Sequence, residues 1–284
     1  MRPYYRTTKG DFSLYKGDCR EVVPRLSSCL FDVVFADPPY FLSNDGFSVQ
    51  AGKQVSVNKG AWDKSRGLKA DTEFNFQWIK SCRERLSESG TIWVCGTFHN
   101  IFSIATVLSE LDFRILNSVI WQKTNPPPNL SCRFFTHSTE ILLWARKQKR
   151  VPHYYNYDLM RRLAGDRQMT DVWRLPAIGR WEKSCGKHPT QKPLSLVVRA
   201  LLASTEANAL VLDPFAGSST TGIAANLIGR KFVGGDSTKA FLELSKRRRI
   251  EYEKDYDVWC RRIPDLTRLR DSDKGKDRTM QIVR

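Results

Sequence analysis

No apolar run in this chain approaches the roughly 18–20 residues of a membrane-spanning helix. The opening MRPYYRTTKGDFS lacks the apolar stretch of a signal peptide. The seven cysteines form no CxxC pair and no Cys/His cluster with zinc spacing; Cys19 and Cys29 are the closest two. No metal site is in view, and reduced, mostly buried thiols in a cytoplasmic protein are the expectation. GxxxxGK[ST] is absent, so ATP use has no support, and the G-x-G-x-x-G dinucleotide fingerprint is absent too. Acidic residues are also in short supply: 30 Asp and Glu stand against 46 Lys and Arg, a net charge of +16.

That excess points to a polyanionic partner, because Lys and Arg displace counterions from phosphates. It is concentrated. Residues 121–192 carry fourteen basic side chains against five acidic ones. The same stretch holds Trp121, Phe134, Phe135, Tyr154, Tyr155, Tyr157, Trp173 and Trp181. Cations interleaved with flat rings suit phosphates and unstacked bases, although ordinary core packing accounts for several of these rings equally well. With 284 residues there is ample chain for a sizeable core.

Strands and helices alternate. FSLYK (12–16) reads as a strand, and FDVVFA (31–36) as a buried strand halted by Asp37-Pro38-Pro39, since consecutive prolines cannot continue a ladder. Residues 41–72 read as a long functional loop and 73–88 as a helix ended by Ser89-Gly90. TIWVCG (91–96) is a strand, 100–111 a helix, and FRILNSVIWQ (113–122) and TEILLWA (139–145) are strands around an irregular NPPPN. Residues 193–204 form a helix, ALVLD (209–213) a strand, 218–228 a helix, KFVGGD (231–236) a strand and 238–254 a helix. The pattern predicts an α/β fold with a largely parallel sheet covered on both faces. The tail from about 262 is charged, and RDSDKGKDR (270–278) reads as disordered.

Two strand ends carry chemistry. Asp37-Pro38-Pro39-Tyr40 places an acceptor on a stiff loop with a ring, where open α/β sheets bind ligands; the bare tetrapeptide fits an ordinary turn as well. Asp213-Pro214-Phe215-Ala216-Gly217-Ser218-Ser219-Thr220 joins a buried strand to a helix start through small residues. Its free amides and close backbone suit a ligand. Asp236 ends the next strand, at the spacing of a carboxylate that accepts ribose hydroxyls. Between the two lies Lys187-His188-Pro189-Thr190-Gln191-Lys192-Pro193, polar and cationic beside a helix start.

DPPY (37–40), HPTQKP (188–193) and DPFAGSSTTG (213–222), in that order, resemble the β group of DNA amino-methyltransferases. FADPPYFLSN (35–44), VSVNKGAWDK (55–64), WQKTNPPPNLSCRFFTHSTE (121–140), HYYNYDLM (153–160) and KHPTQKP (187–193) extend the likeness to DpnA-like adenine methyltransferases of the GATC class. The resemblance covers roughly residues 3–254. It implies the S-adenosylmethionine-dependent methyltransferase (Rossmann-like) fold, circularly permuted with the catalytic half first, plus a basic target-recognition insertion. The chain then divides into a catalytic half (1–148, with loop 41–72), a target-recognition segment (149–186), a cofactor half (187–254) and a charged, partly disordered tail (255–284).

The resemblance also implies roles. Asp37 and the Pro38 carbonyl accept hydrogen bonds from the target amino group, with Pro39 stiffening the turn and Tyr40 stacking on the extruded base. S-adenosylmethionine is held by Asp18, Asp37, His188, Thr190, Gln191, Lys192, Asp213, Phe215, Ala216, Gly217, Ser218, Ser219, Thr220 and Asp236, with Asp236 on the ribose. The basic excess and interleaved rings, and not the resemblance, place the DNA surface in residues 121–186 and loop 41–72, with Asn125, Asn129, Arg133, Arg146, Lys147, Lys149 and Arg150 as candidate contacts beside Tyr40. No metal is implied. The expected function is methylation of adenine N6 in GATC, on double- and single-stranded DNA. N4-cytosine methylation, RNA methylation and a silent nucleic-acid-binding module are the alternatives. A homodimer and a separate cognate restriction endonuclease are the expected protein partners. One departure stands out: the family turn F-x-G-x-G has Ser219 at its second glycine, and a Cβ crowds the backbone there if φ is positive.

Overall fold

The computed structural model describes residues 1–26, 29–42, 47–50, 53–56, 63–129 and 131–272. In chain order the elements are β1 (Tyr5–Arg6), β2 (Phe12–Lys16), α1 (Cys19–Val22), β3 (Phe31–Ala36), β4 (Phe47–Gln50), β5 (Lys53–Ser56), α2 (Leu68–Arg85), β6 (Leu86–Gly96), α3 (Ile101–Glu110), β7 (Arg114–Lys123) and β8 (Thr139–Arg146). There follow α4 (Tyr157–Leu163), β9 (Val172–Leu175), α5 (Leu194–Ser204), β10 (Leu210–Asp213), α6 (Thr220–Leu227), β11 (Lys231–Asp236), α7 (Lys239–Lys254), α8 (Tyr256–Arg261) and α9 (Pro264–Ser272).

Nine strands make one sheet in the order β1-β2-β11-β10-β3-β6-β8-β7-β9. From β2 to β6 neighbouring strands are parallel, and β8 runs antiparallel to β6 and β7. Strands from the two ends of the sequence therefore interleave: β10 and β11 lie between β2 and β3. From β10 the chain crosses to β11 on one side, and from β3 to β6 on the other. The winding reverses between β10 and β3, and a crevice opens beyond the carboxyl ends of two such strands. Asp37 and Asp213 stand at those ends.

Each face carries its own core. One buries α5, α6 and α7 through Val197, Leu201, Ile223, Ala224 and Leu242; the other buries α2 and α3 through Trp78, Ile79, Ile104 and Leu108. Strands covered on both faces read as continuous apolar runs, which is why FDVVFA and ALVLD are conspicuous in the sequence. Gly222 permits close helix–sheet contact: a Cβ there would meet the Phe12 and Phe232 rings at 2.5 and 2.6 Å.

The structure departs from sequence expectation in four places. Helix α2 begins at Leu68 and ends at Arg85, and β6 already pairs Leu86 with Phe31. Gly90 sits inside a strand irregularity, where a Cβ would lie 2.9 Å from Leu86, and does not terminate a helix. Within 41–72, β4 and β5 pair as an antiparallel hairpin; residues 43–46, 51–52 and 57–62 lie outside the described residues. Residues 149–186 do not stand apart from the domain: β9 pairs with β7, and Leu159, Met160, Leu163, Trp173 and Leu175 join the main core. The rings of Trp121 and Trp173 are likewise core members.

The fourth departure is the tail. Trp259, Cys260, Ile263, Leu266 and Leu269 are buried, and Arg199 pairs with the buried Asp265 at 2.7 Å. Helix α9 thus packs on α4 and α5 from outside, and α8 on α7; 273–284 lie outside the described residues. Leu266→Ala is expected to cost about 2–5 kcal/mol in equilibrium unfolding. A change near zero would mean that this segment does not belong to the core.

Candidate active site

Strand β3 delivers Asp37 into a cluster of buried charges. Lys192 Nζ donates to Asp37 Oδ2 at 2.7 Å, and the Tyr40 hydroxyl donates to Asp37 Oδ1 at 2.9 Å. Glu140, at the start of β8, accepts from the Tyr40 hydroxyl at 3.2 Å and lies 3.5 Å from Lys192 Nζ. Lys123, at the end of β7, pairs with Glu140 at 2.7 Å. The Lys192 ammonium also lies over the Tyr40 ring, 5.1 Å from its centre. Two carboxylates and two ammoniums form a neutral set, as buried charges require.

The directions of the shifts follow from that set. Burial pushes the Asp37 carboxyl above the usual range, opposed chiefly by Lys192. Burial alone would lower Lys192, but Asp37 and Glu140 outweigh it and hold the ammonium above its ordinary value. Glu140 suffers the same burial, yet Lys192 and Lys123 hold it below the usual carboxylate range. The turn itself is fixed by Asp63, whose Oδ1 accepts both the Tyr40 and Phe41 amides at 2.9 Å.

A cavity of about 520 Å³ opens from Asp37. It is within the range of small-molecule sites. Its walls include Pro39, Phe41, Phe74, Phe215 and Phe241, and its polar groups include Asp18, Arg20, His188, Thr190 and Asp236. Asp236 accepts the Gly217 amide at 2.9 Å and the Thr238 amide at 2.7 Å, joining the small turn to the entry of α7. Asp18 caps α1 and pairs with Arg20 at 2.7 Å. Gly217 has φ +50°, and a Cβ there would stand 3.0 Å from His188; both features favour glycine. Asp213 is sealed beneath, accepts the Phe215 amide at 2.9 Å, and is pushed up to about 7 by burial.

These placements sort the expected residues. Asp18, Asp37, Pro39, His188, Thr190, Phe215, Gly217 and Asp236 share the cavity. Gln191 and Lys192 turn elsewhere, Gln191 to the Glu182 carbonyl at 2.9 Å and Lys192 to Asp37. Ala216, Ser218, Ser219 and Thr220 are buried behind the turn. There Arg248 donates to the Ser218 carbonyl at 2.6 Å and Ser245 to the Gly217 carbonyl at 2.7 Å, so α7 supports the turn from below. Tyr40 is buried and its hydroxyl is committed to the charge cluster. Glu140, Lys123, Asp63, Phe41 and Phe74 were missed from sequence. An acid opening the apolar run TEILLWA was the available signal for Glu140.

Asn125, Asn129 and Arg133 lie on the loop between β7 and β8, at the same end of the sheet as Asp37; Asn125 accepts the Ala177 amide at 2.9 Å. Arg146, Lys147, Lys149 and Arg150 do not. Because β8 runs antiparallel to β6, Arg146 pairs with Thr91, at the opposite end. Six residues of strand from Glu140 to Arg146 span roughly 20 Å. Lys147 is buried and donates to the Leu86 carbonyl and Glu88, each at 2.8 Å, and Lys149 pairs with Asp112. These four residues therefore lie at or just beyond the edge of the sheet that is remote from Asp37.

A family model described as DNA methylase matches residues 31–247. The chain is 51% identical to the Type II methyltransferase M2.MboI of Moraxella bovis over 87% of this chain and 91% of that protein. It is 49% identical to M2.DpnII of Streptococcus pneumoniae, over 89% and 93%. Among solved structures it resembles the M1.HpyAVI–SAM complex with TM-score 0.65 and 26% identity, covering 84% of this chain and 98% of the other. PvuII DNA methyltransferase (cytosine-N4-specific) matches in fold, with TM-score 0.66 at 20% identity over 94% and 95%.

Ser219 adopts φ +54°, the left-handed conformation that makes a Cβ costly, and its buried hydroxyl has no hydrogen-bond partner among the described residues. Left-handed backbone costs an L-residue roughly 1–2 kcal/mol. Ser219→Gly is therefore expected to stabilise the protein by about 1 kcal/mol, read as a Tm raised by about 2–4 °C. A lowered Tm would show that the serine contributes more than it strains.

Proposed function

The chain belongs to the DNA methylase family and is a site-specific, S-adenosylmethionine-dependent DNA methyltransferase; we propose that it methylates adenine N6, within GATC, at Asp37. The observation that carries the assignment is that Asp37, paired with Lys192 at 2.7 Å, opens onto the same cavity as Gly217 and Asp236. The cavity fits the cofactor's chemistry. A carboxylate at Asp236 suits ribose hydroxyls, aromatic walls at Phe215 and Phe74 suit a base, and polar groups at His188 and Thr190 suit an amino-acid end. S-adenosylmethionine bound there supplies an electrophilic methyl group on a sulfonium.

The exocyclic amine of adenine is a poor nucleophile, because its lone pair is delocalised into the ring. Asp37 and the Pro38 carbonyl act as fixed acceptors for its two N–H groups and draw them out of the ring plane, which returns the pair to nitrogen. A carboxylate has about four acceptor sites, so Asp37 retains Tyr40 and Lys192 while accepting the substrate. The two prolines and Asp63 keep the acceptors from relaxing, and such preorganisation is a large part of the rate. In duplex DNA the adenine leaves its stack first, at a cost of a few kcal/mol; an unpaired adenine avoids the loss of its partner, which supports activity on single strands as well.

Asp37 favours adenine over cytosine N4, because enzymes of the latter kind usually carry Ser at that position. GATC rests on the resemblance of residues 35–44, 55–64, 121–140 and 153–160 to that class. A homodimer and a separate cognate endonuclease belong to the same proposal.

DNA from cells expressing the protein, digested to nucleosides and analysed by mass spectrometry, should contain new N6-methyladenine. N4-methylcytosine in its place would overturn the adenine assignment. Asp37→Ala should lower turnover about a hundredfold or more while the calorimetric Kd for S-adenosylmethionine stays within a few-fold. Wild-type turnover in that variant would contradict the role of Asp37.

A further inference from the structure

Four rings line up outside the charge cluster. Phe98 and His99 stand on the turn between β6 and α3, and Phe134 and His137 on the loop that leads into β8. Ring centres are 5.3 Å apart from Phe134 to His137, 5.4 Å from His137 to Phe98, and 3.8 Å from Phe98 to His99. Their planes lie at 32–37° to one another. Phe98 is 51% exposed, Phe134 58% and the adjoining Phe135 96%. A contiguous exposed apolar patch of this kind marks an interaction surface.

The strip is continuous with the catalytic turn. Asn100 holds its own turn by accepting the Thr97 amide at 3.0 Å, and its side-chain amide reaches the Pro39 carbonyl at 3.5 Å. Gly96 admits this approach, since a Cβ there would lie 2.7 Å from Asn100 Oδ1. On the other side, the loop ends at Thr139, one residue before Glu140. Both supports of the strip are thus tied to the residues that set Asp37.

The chemistry of the strip selects its occupant. Neither 97–100 nor 131–138 contains an Asp or Glu, and Arg133 is exposed beside the rings. Neither segment itself sets a carboxylate against a strand phosphate. Burial and the neighbouring His137 hold the His99 imidazole below its usual value, so at neutral pH it presents a flat, uncharged ring. Flat aromatic faces with one flanking guanidinium suit stacked bases and a phosphate between them.

We propose that Phe98, His99, Phe134 and His137 form a stacking platform for unstacked nucleobases flanking the target, on the DNA strand that carries it. This rests on the methyltransferase reading above and extends it: the bases next to the target are gripped by their faces, whatever their identity, while the target enters at Asp37.

The test is binding, with S-adenosylhomocysteine present, of a labelled oligonucleotide with one GATC, as a single strand and as a duplex. Counterparts carry one abasic residue at each flanking position of the target strand in turn. Stacking on an aromatic side chain is worth a factor of roughly five to a hundred per base. Phe98→Ala and Phe134→Ala together should weaken the intact oligonucleotide by about that factor. Cofactor Kd and Tm should stay unchanged, as expected for exposed rings. An abasic residue at the stacked position should weaken the wild type and add little in the double variant. Wild-type affinity in the double variant overturns the platform, as does an abasic loss equal in both proteins at every position. Methyl incorporation by the wild type is measured on the same DNA. Its complete absence defeats the enzyme reading, whereas its presence with unchanged variant binding defeats the platform alone.

Discussion

A carboxylate kept charged inside the protein is the constraint from which the rest of this structure follows. Desolvation works against an ionised Asp37, and at that position a neutral acid has turned one of its acceptor oxygens into a donor. Lys192 opposes the penalty at 2.7 Å, but it is itself buried and needs Glu140, which needs Lys123 in turn. Breaking such a set by removing one partner is far more costly than never having built it. The four charges come from the end of β3, the entry to α5, the start of β8 and the end of β7.

That arrangement explains the permuted sheet in functional terms. Asp37 and Lys192 are 155 residues apart, and β10 and β11 return from the second half of the chain to lie between β2 and β3. The ion pair is therefore a bolt between the half that presents the acceptor and the half that builds the cofactor turn. The turn is itself held from two sides, by Asp236 at its amides and by Ser245 and Arg248 at its carbonyls. On the proposed reading, a cofactor placed by one half and a base placed by the other meet at a fixed separation, and positioning of that kind is a main source of rate.

Much of this was legible in sequence, for identifiable reasons. Buried strands that end in Asp mark the crevice of an α/β sheet, so Asp37, Asp213 and Asp236 stood out at strand ends, although DPPY alone fitted an ordinary turn as well and needed the family resemblance beside it. Pairings across the sheet leave no local trace, and Lys192 therefore read as a ligand of the cofactor although its ammonium turns to Asp37. Strand direction also leaves no local trace: the antiparallel β8 carries Arg146, Lys147, Lys149 and Arg150 to the edge remote from Asp37. The tail was misjudged because its charge concealed the helical spacing of Trp259, Ile263, Leu266 and Leu269, all of which are buried. The concern over Ser219 was conditional on a positive φ, and that φ is positive.

The central claim, that Lys192 keeps Asp37 ionised, is tested most directly by the pH dependence of single-turnover methyl transfer in Lys192→Met. The groups around Asp37 that bear on its charge are Lys192 and Tyr40, Glu140 from β8 with Lys123 behind it, Cys95 from β6 and Asp213 from β10. Without the ammonium, burial of Asp37 loses its chief opponent, only the Tyr40 hydrogen bond remains, and the carboxyl titrates at higher pH. The account predicts that the variant, loaded with S-adenosylmethionine at near wild-type affinity, is nearly inactive at neutral pH and recovers as pH rises, its acid limb displaced upward from that of the wild type. An acid limb at the wild-type position, with the rate depressed equally at every pH, would contradict it.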